Sequence, residues 1–258
     1  MPPLVNKVNA RQRYDVECIL RRMTTILLTG SSRGIGAATR ELLEGRGATV
    51  IGHSTRGDDE GEVAADFTEP TAPQMLWEEA LELAGGQIDV LINNAGLFAQ
   101  NPLNSADIRW LDAWEDTLRI NLTAAAQLSR FAVQHWLERG AEGRIVHIAS
   151  RAGHRGDSPA HWHYAAAKGG MLALHKTIAR AYAKDGILSF AVTPGFTDTA
   201  MAGDYLESRG GAGLLADIPL GRVAEPEEIA NIAAYLALEA PASLTGATLD
   251  ANGASYVR

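Results

Sequence analysis

Short apolar runs alternate with longer stretches of helical period along most of this chain. The runs are Thr25–Thr29, Ala48–His53, Glu62–Asp66, Ile88–Ile92, Gly143–Ser150, Leu188–Val192 and Leu244–Asp250. Several are apolar almost throughout, the pattern of parallel strands buried on both faces. Between them, helical spacing predicts helices over Ala37–Glu44, Thr71–Ala84, one long helix over Trp110–Arg139, a helix around Tyr164, and Pro226–Leu238 with proline in its first turn. Too few residues separate the second run from Glu62 for a crossover helix, so that connection is read as a loop. Strands and helices in this rhythm predict an α/β fold: a single doubly wound (Rossmann-type) parallel sheet with helices on both faces. One domain is expected over residues 23–258. Residues 1–22 carry five basic and two acidic side chains and no apolar core, and are read as an N-terminal extension outside it.

Composition narrows the class. Of 258 residues, 46% are apolar, enough for a full-sized core. Thirty-one acids against 23 bases give a net charge of −8, which speaks against a nucleic-acid surface. Cys18 is the single cysteine, so no intrachain disulfide can form and a reducing, cytoplasmic setting is expected. No run is long enough to suggest a membrane partner.

The first apolar run ends in Gly30-Ser31-Ser32-Arg33-Gly34-Ile35-Gly36 and leads into a helix. Strand, glycine turn and helix bring backbone N–H groups and a helix N-terminus to one point, an anion site suited to a pyrophosphate. A site for NAD places a carboxylate at the end of the second strand, on the ribose hydroxyls. Here that place holds His53, followed by Ser54, Thr55 and Arg56, with Arg33 in the glycine turn. Two guanidinium groups and no carboxylate favour a 2′-phosphate, hence NADP over NAD, although Asp58, Asp59 and Glu60 lie close by in sequence. Tyr164 and Lys168 are four apart in an alanine-rich stretch, which puts both on one helix face. An ammonium one turn away is expected to lower the phenol's pKa and make the pair a general acid/base.

Thr29-Gly30-x-x-x-Gly34-x-Gly36, Asp66, Asn93-Asn94-Ala95-Gly96, Asn121, Ser150, Tyr164-x-x-x-Lys168 and Pro194-Gly195 occur in that order. This set resembles the short-chain dehydrogenase/reductase family, from about Met23 to the end. The tail Pro219–Ala230 looks most like its 3-oxoacyl-carrier-protein reductase branch. The resemblance implies a catalytic tetrad of Asn121, Ser150, Tyr164 and Lys168. Hydride would pass between a nicotinamide and a ketone or secondary alcohol, Tyr164 serving as acid/base and Ser150 holding the oxygen. It further implies that Asp66 and Phe67 meet the adenine, that Asn93, Asn94, Ala95 and Gly96 line the cofactor, and that Lys168 holds its ribose. Pro194, Gly195, Thr197 and Thr199 would meet the carboxamide. A homotetramer or dimer is the implied assembly.

The stretch after Ser150 departs from the family pattern. Ser150 and Tyr164 are one residue further apart than usual, and the loop between them carries His154, His161, Trp162 and His163. Those histidines are read as shaping the pocket or facing solvent, not as a metal site, because i,i+2 side chains diverge on a helix. Met201–Asp217 is glycine-rich and read as a mobile lid over a small-molecule carbonyl substrate. The other class considered is an NADP-binding redox sensor without turnover. Such a protein would be free to lose Tyr164 or Lys168, and both are present.

Overall fold

A computed structural model describes residues 23–57, 61–199 and 211–258; the extension at 1–22, Asp58–Glu60 and most of the expected lid lie outside the described residues. Seven parallel strands form one sheet: β1 (Thr25–Thr29), β2 (Thr49–Ser54), β3 (Glu62–Ala64), β4 (Val90–Asn93), β5 (Gly143–Ile148), β6 (Ile187–Pro194) and β7 (Thr248–Ala251). Their spatial order is β3-β2-β1-β4-β5-β6-β7. The chain therefore builds outward from β1 on one side, then returns to β4 and builds outward on the other. That reversal leaves a crevice at the carboxyl ends of β1 and β4, where doubly wound sheets bind ligands.

Side-chain alternation along the strands feeds two cores. Leu27, Ile51, Leu91 and Ile145 point to one face and pack against α2 (Ala72–Leu83) and α4 (Ala124–Arg139), through Leu76, Trp77, Leu128 and Trp136. Ile26, Leu28, Val50, Ile92, Val146 and Phe190 point to the other. There they meet Leu43 of α1 (Gly34–Gly45) and Ile229, Ala233 and Leu236 of α8 (Pro226–Leu238). Each fully buried large aliphatic side chain contributes roughly 1.5–3 kcal/mol, so both layers hold the sheet from either side.

The expected long helix is not continuous. It begins at Asp107 as α3 (Asp107–Leu118), passes through a π-helical turn at Arg119–Thr123, and continues as α4. The wider turn carries Asn121, whose amide donates to the carbonyls of Leu97 (2.9 Å) and Thr117 (3.0 Å). Its oxygen accepts from the Leu97 N–H at 3.2 Å. The final strand is also shorter than expected, because Ala242–Leu244 forms a 3₁₀ turn and pairing with β6 starts at Thr248. In the loop after β5, a one-turn helix α5 (Ala152–Arg155) lies against α6 (Trp162–Tyr182). Gly153 permits this: a Cβ there would stand 2.7 Å from the backbone carbon of Lys168. Within the expected lid, Gly211–Ala216 forms the short helix α7.

Candidate active site

A single cavity of about 900 Å³ runs along the carboxyl ends of the strands. The glycine turn forms one end, the Asn94–Phe98 loop one wall, and Ser150, Tyr164 and Lys168 the far end.

The glycine turn is built for close backbone approach. Gly30 has φ +66°, a left-handed conformation that glycine adopts at no steric cost, and a Cβ at Gly36 would lie 1.9 Å from the Gly30 carbonyl oxygen. Asn94 secures the turn from β4, its amide donating to the carbonyls of Thr29 and Gly30 at 2.9 Å each. With the turn held, the N-terminus of α1 points into the cavity, beside the side chains of Arg33 and Arg56. Both arginines are exposed, and neither forms an ion pair among the described residues. Asp66 also lines this end, its carboxylate accepting from the Thr68 N–H and hydroxyl (2.9 and 2.8 Å), which hold its pKa below the usual carboxylate range. These residues suit a dinucleotide with a phosphorylated ribose: tight glycines and a helix start for the pyrophosphate, guanidinium groups for the extra phosphate.

At the far end α6 places Tyr164 and Lys168 on one face. The Lys168 Nζ stands 5.7 Å from the centre of the Tyr164 ring and donates to the carbonyl of Ile148 at 2.9 Å. Ser150, just past β5, lines the cavity beside Tyr164 and acts to lower the pKa of its phenol. Gly96 is the point where the tetrad meets: a Cβ there would be 2.8 Å from the Asn121 oxygen and 3.6 Å from the Lys168 ammonium. The expected lowering of the tyrosine pKa is not what this geometry produces. Only part of the Tyr164 surface meets the cavity, and burial pushes the phenol up to about 12, against the lowering effect of Ser150. Burial likewise pulls Lys168 down to about 8. Loss of water penalises both charged forms, and at Tyr164 that penalty, with the nearby Asp157 charge, outweighs the lowering by Ser150.

Most of the residues expected at the cofactor line this cavity: Gly30, Ser32, Arg33, Gly34, Ile35, Gly36, Ser54, Arg56, Asp66, Phe67, Asn94, Ala95, Gly96, Pro194, Gly195, Thr197 and Thr199, with all four of the tetrad. Two do not. Ser31 turns inward, its hydroxyl bonded to the Glu62 carboxylate and accepting from the His53 N–H at 2.9 Å. Asn93 points under the sheet, donating to the Ser129 hydroxyl at 3.1 Å. His53 borders the cavity but is 3% exposed, and both ring nitrogens are engaged within the protein. It is no phosphate ligand. Burial keeps its pKa below the ordinary value, so the ring is neutral.

The histidine-rich loop divides between interior and surface, with Trp162 53% exposed. His161 and His163 are buried, the first stacked on Phe98 with ring centres 4.1 Å apart, the second accepting from the Tyr164 N–H at 2.9 Å. His154 stacks instead on Tyr256. The His161 and His163 rings also lie beside each other, with centres 6.3 Å apart. Among the described residues no group of three or more His, Cys, Asp or Glu side chains could hold a metal ion.

Sequence reasoning missed several lining residues near the tetrad: Leu97, Phe98, Arg151, Asp157 and Phe196. Phe98 meets Tyr164 edge-on at 4.8 Å, and the Arg151 guanidinium sits 4.8 Å above the Phe196 ring. Leu97, Arg151 and Phe196 directly follow a recognised motif residue (Gly96, Ser150, Gly195), and Phe98 comes one place later, which is the only sequence signal they carry.

Comparison with known proteins agrees with this geometry. The family model described as enoyl-(acyl carrier protein) reductase matches residues 30–253. The 3-oxoacyl-acyl-carrier-protein reductase FabG of Escherichia coli is 36% identical over 244 residues, covering 90% of this chain and 96% of that protein. Nodulation protein G of a Rhizobium species is 34% identical over 238 residues, covering 88% and 94%. A crystal structure from Agrobacterium tumefaciens with bound NADP, described as a candidate 2-deoxy-d-gluconate 3-dehydrogenase, superimposes with a TM-score of 0.78 at 28% identity, over 89% of this chain and 95% of that one. With a family model matching residues 30–253 and the tetrad gathered at one end of one cavity, the chain belongs to the short-chain dehydrogenase/reductase family of oxidoreductases and is similar to its 3-oxoacyl-acyl-carrier-protein reductases.

Proposed function

We propose that this chain is an NADP-dependent reductase of a ketone, with the corresponding secondary-alcohol oxidation as its reverse, and that Tyr164 is the proton donor. The observation that carries the reading is that Asn121, Ser150, Tyr164 and Lys168 together line the far end of the cavity whose other end is the glycine turn. The bound nicotinamide would supply the hydride, and everything else falls to this chain's residues. Gly30, Gly34, Gly36 and the start of α1 would hold the pyrophosphate, and Arg33 and Arg56 the 2′-phosphate. Thr197 would meet the carboxamide: its hydroxyl is buried without a hydrogen-bond partner. NADP is bound by the Agrobacterium protein. NAD is the weaker candidate because, among the described residues, no carboxylate stands at the end of β2.

With a pKa near 12, the Tyr164 phenol carries its proton at neutral pH. It is therefore set to donate to a carbonyl oxygen as that oxygen gains charge. Ser150 donates a second hydrogen bond to the same oxygen, stabilising the developing alkoxide. Lys168, largely protonated at pH 7, uses one of its three N–H groups on Ile148 and has two left for the ribose and the site. Asn121 holds the Leu97 backbone, and with it the wall opposite Tyr164. A redox sensor without turnover has no support here, since the FabG relative is named a reductase, the Agrobacterium structure a dehydrogenase, and the tetrad is assembled.

Two family expectations go with this reading. A homotetramer or dimer accords with α3, which buries only Thr117 while Ile108 (72%) and Leu111 (49%) stay exposed. A cytoplasmic location accords with the reducing setting; no described helix is long and apolar enough to cross a membrane. The test is a panel of 3-oxoacyl thioesters and sugar-acid ketones followed by loss of nicotinamide absorbance with NADPH and with NADH. Turnover on at least one ketone, abolished in Tyr164→Phe with NADPH affinity retained, is the expected result. A Tyr164→Phe variant with substantial rate would overturn the proton-donor assignment.

A further inference from the structure

We propose that His53 is a positioning residue that clasps the glycine turn to the adenine-side loop, so that the two ends of the dinucleotide site are held in register. The inference rests on the NADP reading of the cavity and assigns a role to a residue at the place usually read for charge.

Three segments far apart in sequence meet at this ring. The Nδ1 atom accepts from the Gly30 N–H at 3.2 Å, in the turn at the pyrophosphate end. The Nε2 atom lies 2.9 Å from the Ala65 carbonyl, one residue before Asp66. The ring face stacks on Phe67, with centres 4.4 Å apart and planes 16° from parallel. A carbonyl can only accept and an N–H can only donate, so the neutral tautomer with its proton on Nε2 satisfies both bonds. The backbone adds two more links, Ser31 N–H to the His53 carbonyl and His53 N–H to the Ser31 hydroxyl, each 2.9 Å. Behind them the buried Glu62 carboxylate, on the neighbouring strand β3, accepts from that hydroxyl and has Arg40 3.7 Å away.

Other side chains cannot make this bridge. A carboxylate, the usual occupant in an NAD site, has no proton for Ala65. Asparagine can reach Gly30 but not Ala65, and glutamine the reverse; imidazole carries acceptor and donor on opposite sides of one rigid ring. The turn lies close against the loop after β4, where a Cβ at Gly30 would stand 2.9 Å from the Ala95 backbone, so only glycine fits at the bond His53 accepts. The clasp also removes the Gly30 N–H from the set available to a phosphate, leaving that work to the groups after it.

The test compares NADPH, which occupies both ends, with adenosine 2′-monophosphate, which lacks the 5′-phosphate and occupies the adenine end alone. Kd values are measured by calorimetry for the wild type and His53→Ala, His53→Asn and His53→Gln. Losing two hydrogen bonds should weaken NADPH binding by about tenfold or more in His53→Ala, while the monophosphate changes by less than about threefold. His53→Asn and His53→Gln, each restoring one bond, should fall between, and they carry the test if the alanine variant does not fold. Equal losses for both ligands would show that the ring serves the adenine only and would overturn the clasp. Unchanged NADPH affinity in all the folded variants would do the same. A wild type that binds neither nucleotide would instead refute the cofactor reading on which the clasp rests.

Discussion

The acid limb of stability should be governed by His147, on β5 directly before the residue whose carbonyl holds Lys168. It is fully buried, its ring centre 6.0 Å from that of His175. Burial first, then the His175 and Lys168 charges, pull its pKa from 6.5 to about 3. His175 falls to about 4, mainly through burial. A base whose pKa is depressed in the folded state takes up its proton first in the unfolded chain. Its contribution is thus fully present above pH 6.5 and is lost as pH falls from 6.5 toward 3. At pH 5, one and a half units below the unfolded value, His147 alone should cost about 2 kcal/mol, at roughly 1.4 kcal/mol per unit. Against a total of about 5–15 kcal/mol that is a large share. Urea unfolding of the wild type and His147→Leu at pH 7.5 and pH 5 measures it. Leucine cannot titrate, so its stability should fall by about 2 kcal/mol less over that interval, whatever its own cost at pH 7.5. If both proteins lose the same stability between the two pH values, a protonated His147 is tolerated in the fold and the reasoning fails.

Three further outcomes follow from the site. Lys168→Ala should weaken NADPH binding about tenfold and slow turnover at least about a hundredfold, because the ammonium serves both ribose and tyrosine; unchanged cofactor affinity would count against the ribose contact. The wild type should show a higher kcat/KM with NADPH than with NADH, and Arg33→Ala and Arg56→Ala should each erode that preference by about tenfold, the worth of a charge-assisted hydrogen bond. A wild type favouring NADH would sink this assignment, and an unaffected preference in one variant would leave the phosphate to the other arginine. Gly36→Ala should abolish cofactor binding, since its methyl would have to stand 1.9 Å from the Gly30 oxygen; calorimetry showing normal NADPH affinity would mean that the turn can open without cost.

Local chemistry was enough to read the scaffold from the chain. β1, the glycine turn and α1 follow one another within about twenty residues, so run length, glycine spacing and helical period suffice to place them. The helix Pro226–Leu238 was legible to the residue, because Pro226 pre-sets its first turn and Glu225 and Glu228 cap it reciprocally. The Tyr164–Lys168 face was likewise a matter of helical spacing. What sequence could not contain is which way a side chain turns once the motif is folded. Ser31 and Asn93 sit in recognised motifs yet point away from the cavity, toward Glu62 and Ser129, partners about thirty residues distant. The π turn at Asn121 interrupts an unbroken helical pattern because the amide meets the Leu97 backbone, a contact made only when α3 and the β4 loop pack together. His53 stands where charge was expected to be read and is instead consumed by Gly30 and Ala65. The sign of the Tyr164 shift was decided the same way. Spacing placed an ammonium nearby, but only the folded protein determines how much water is removed from both groups, and here desolvation is the larger effect.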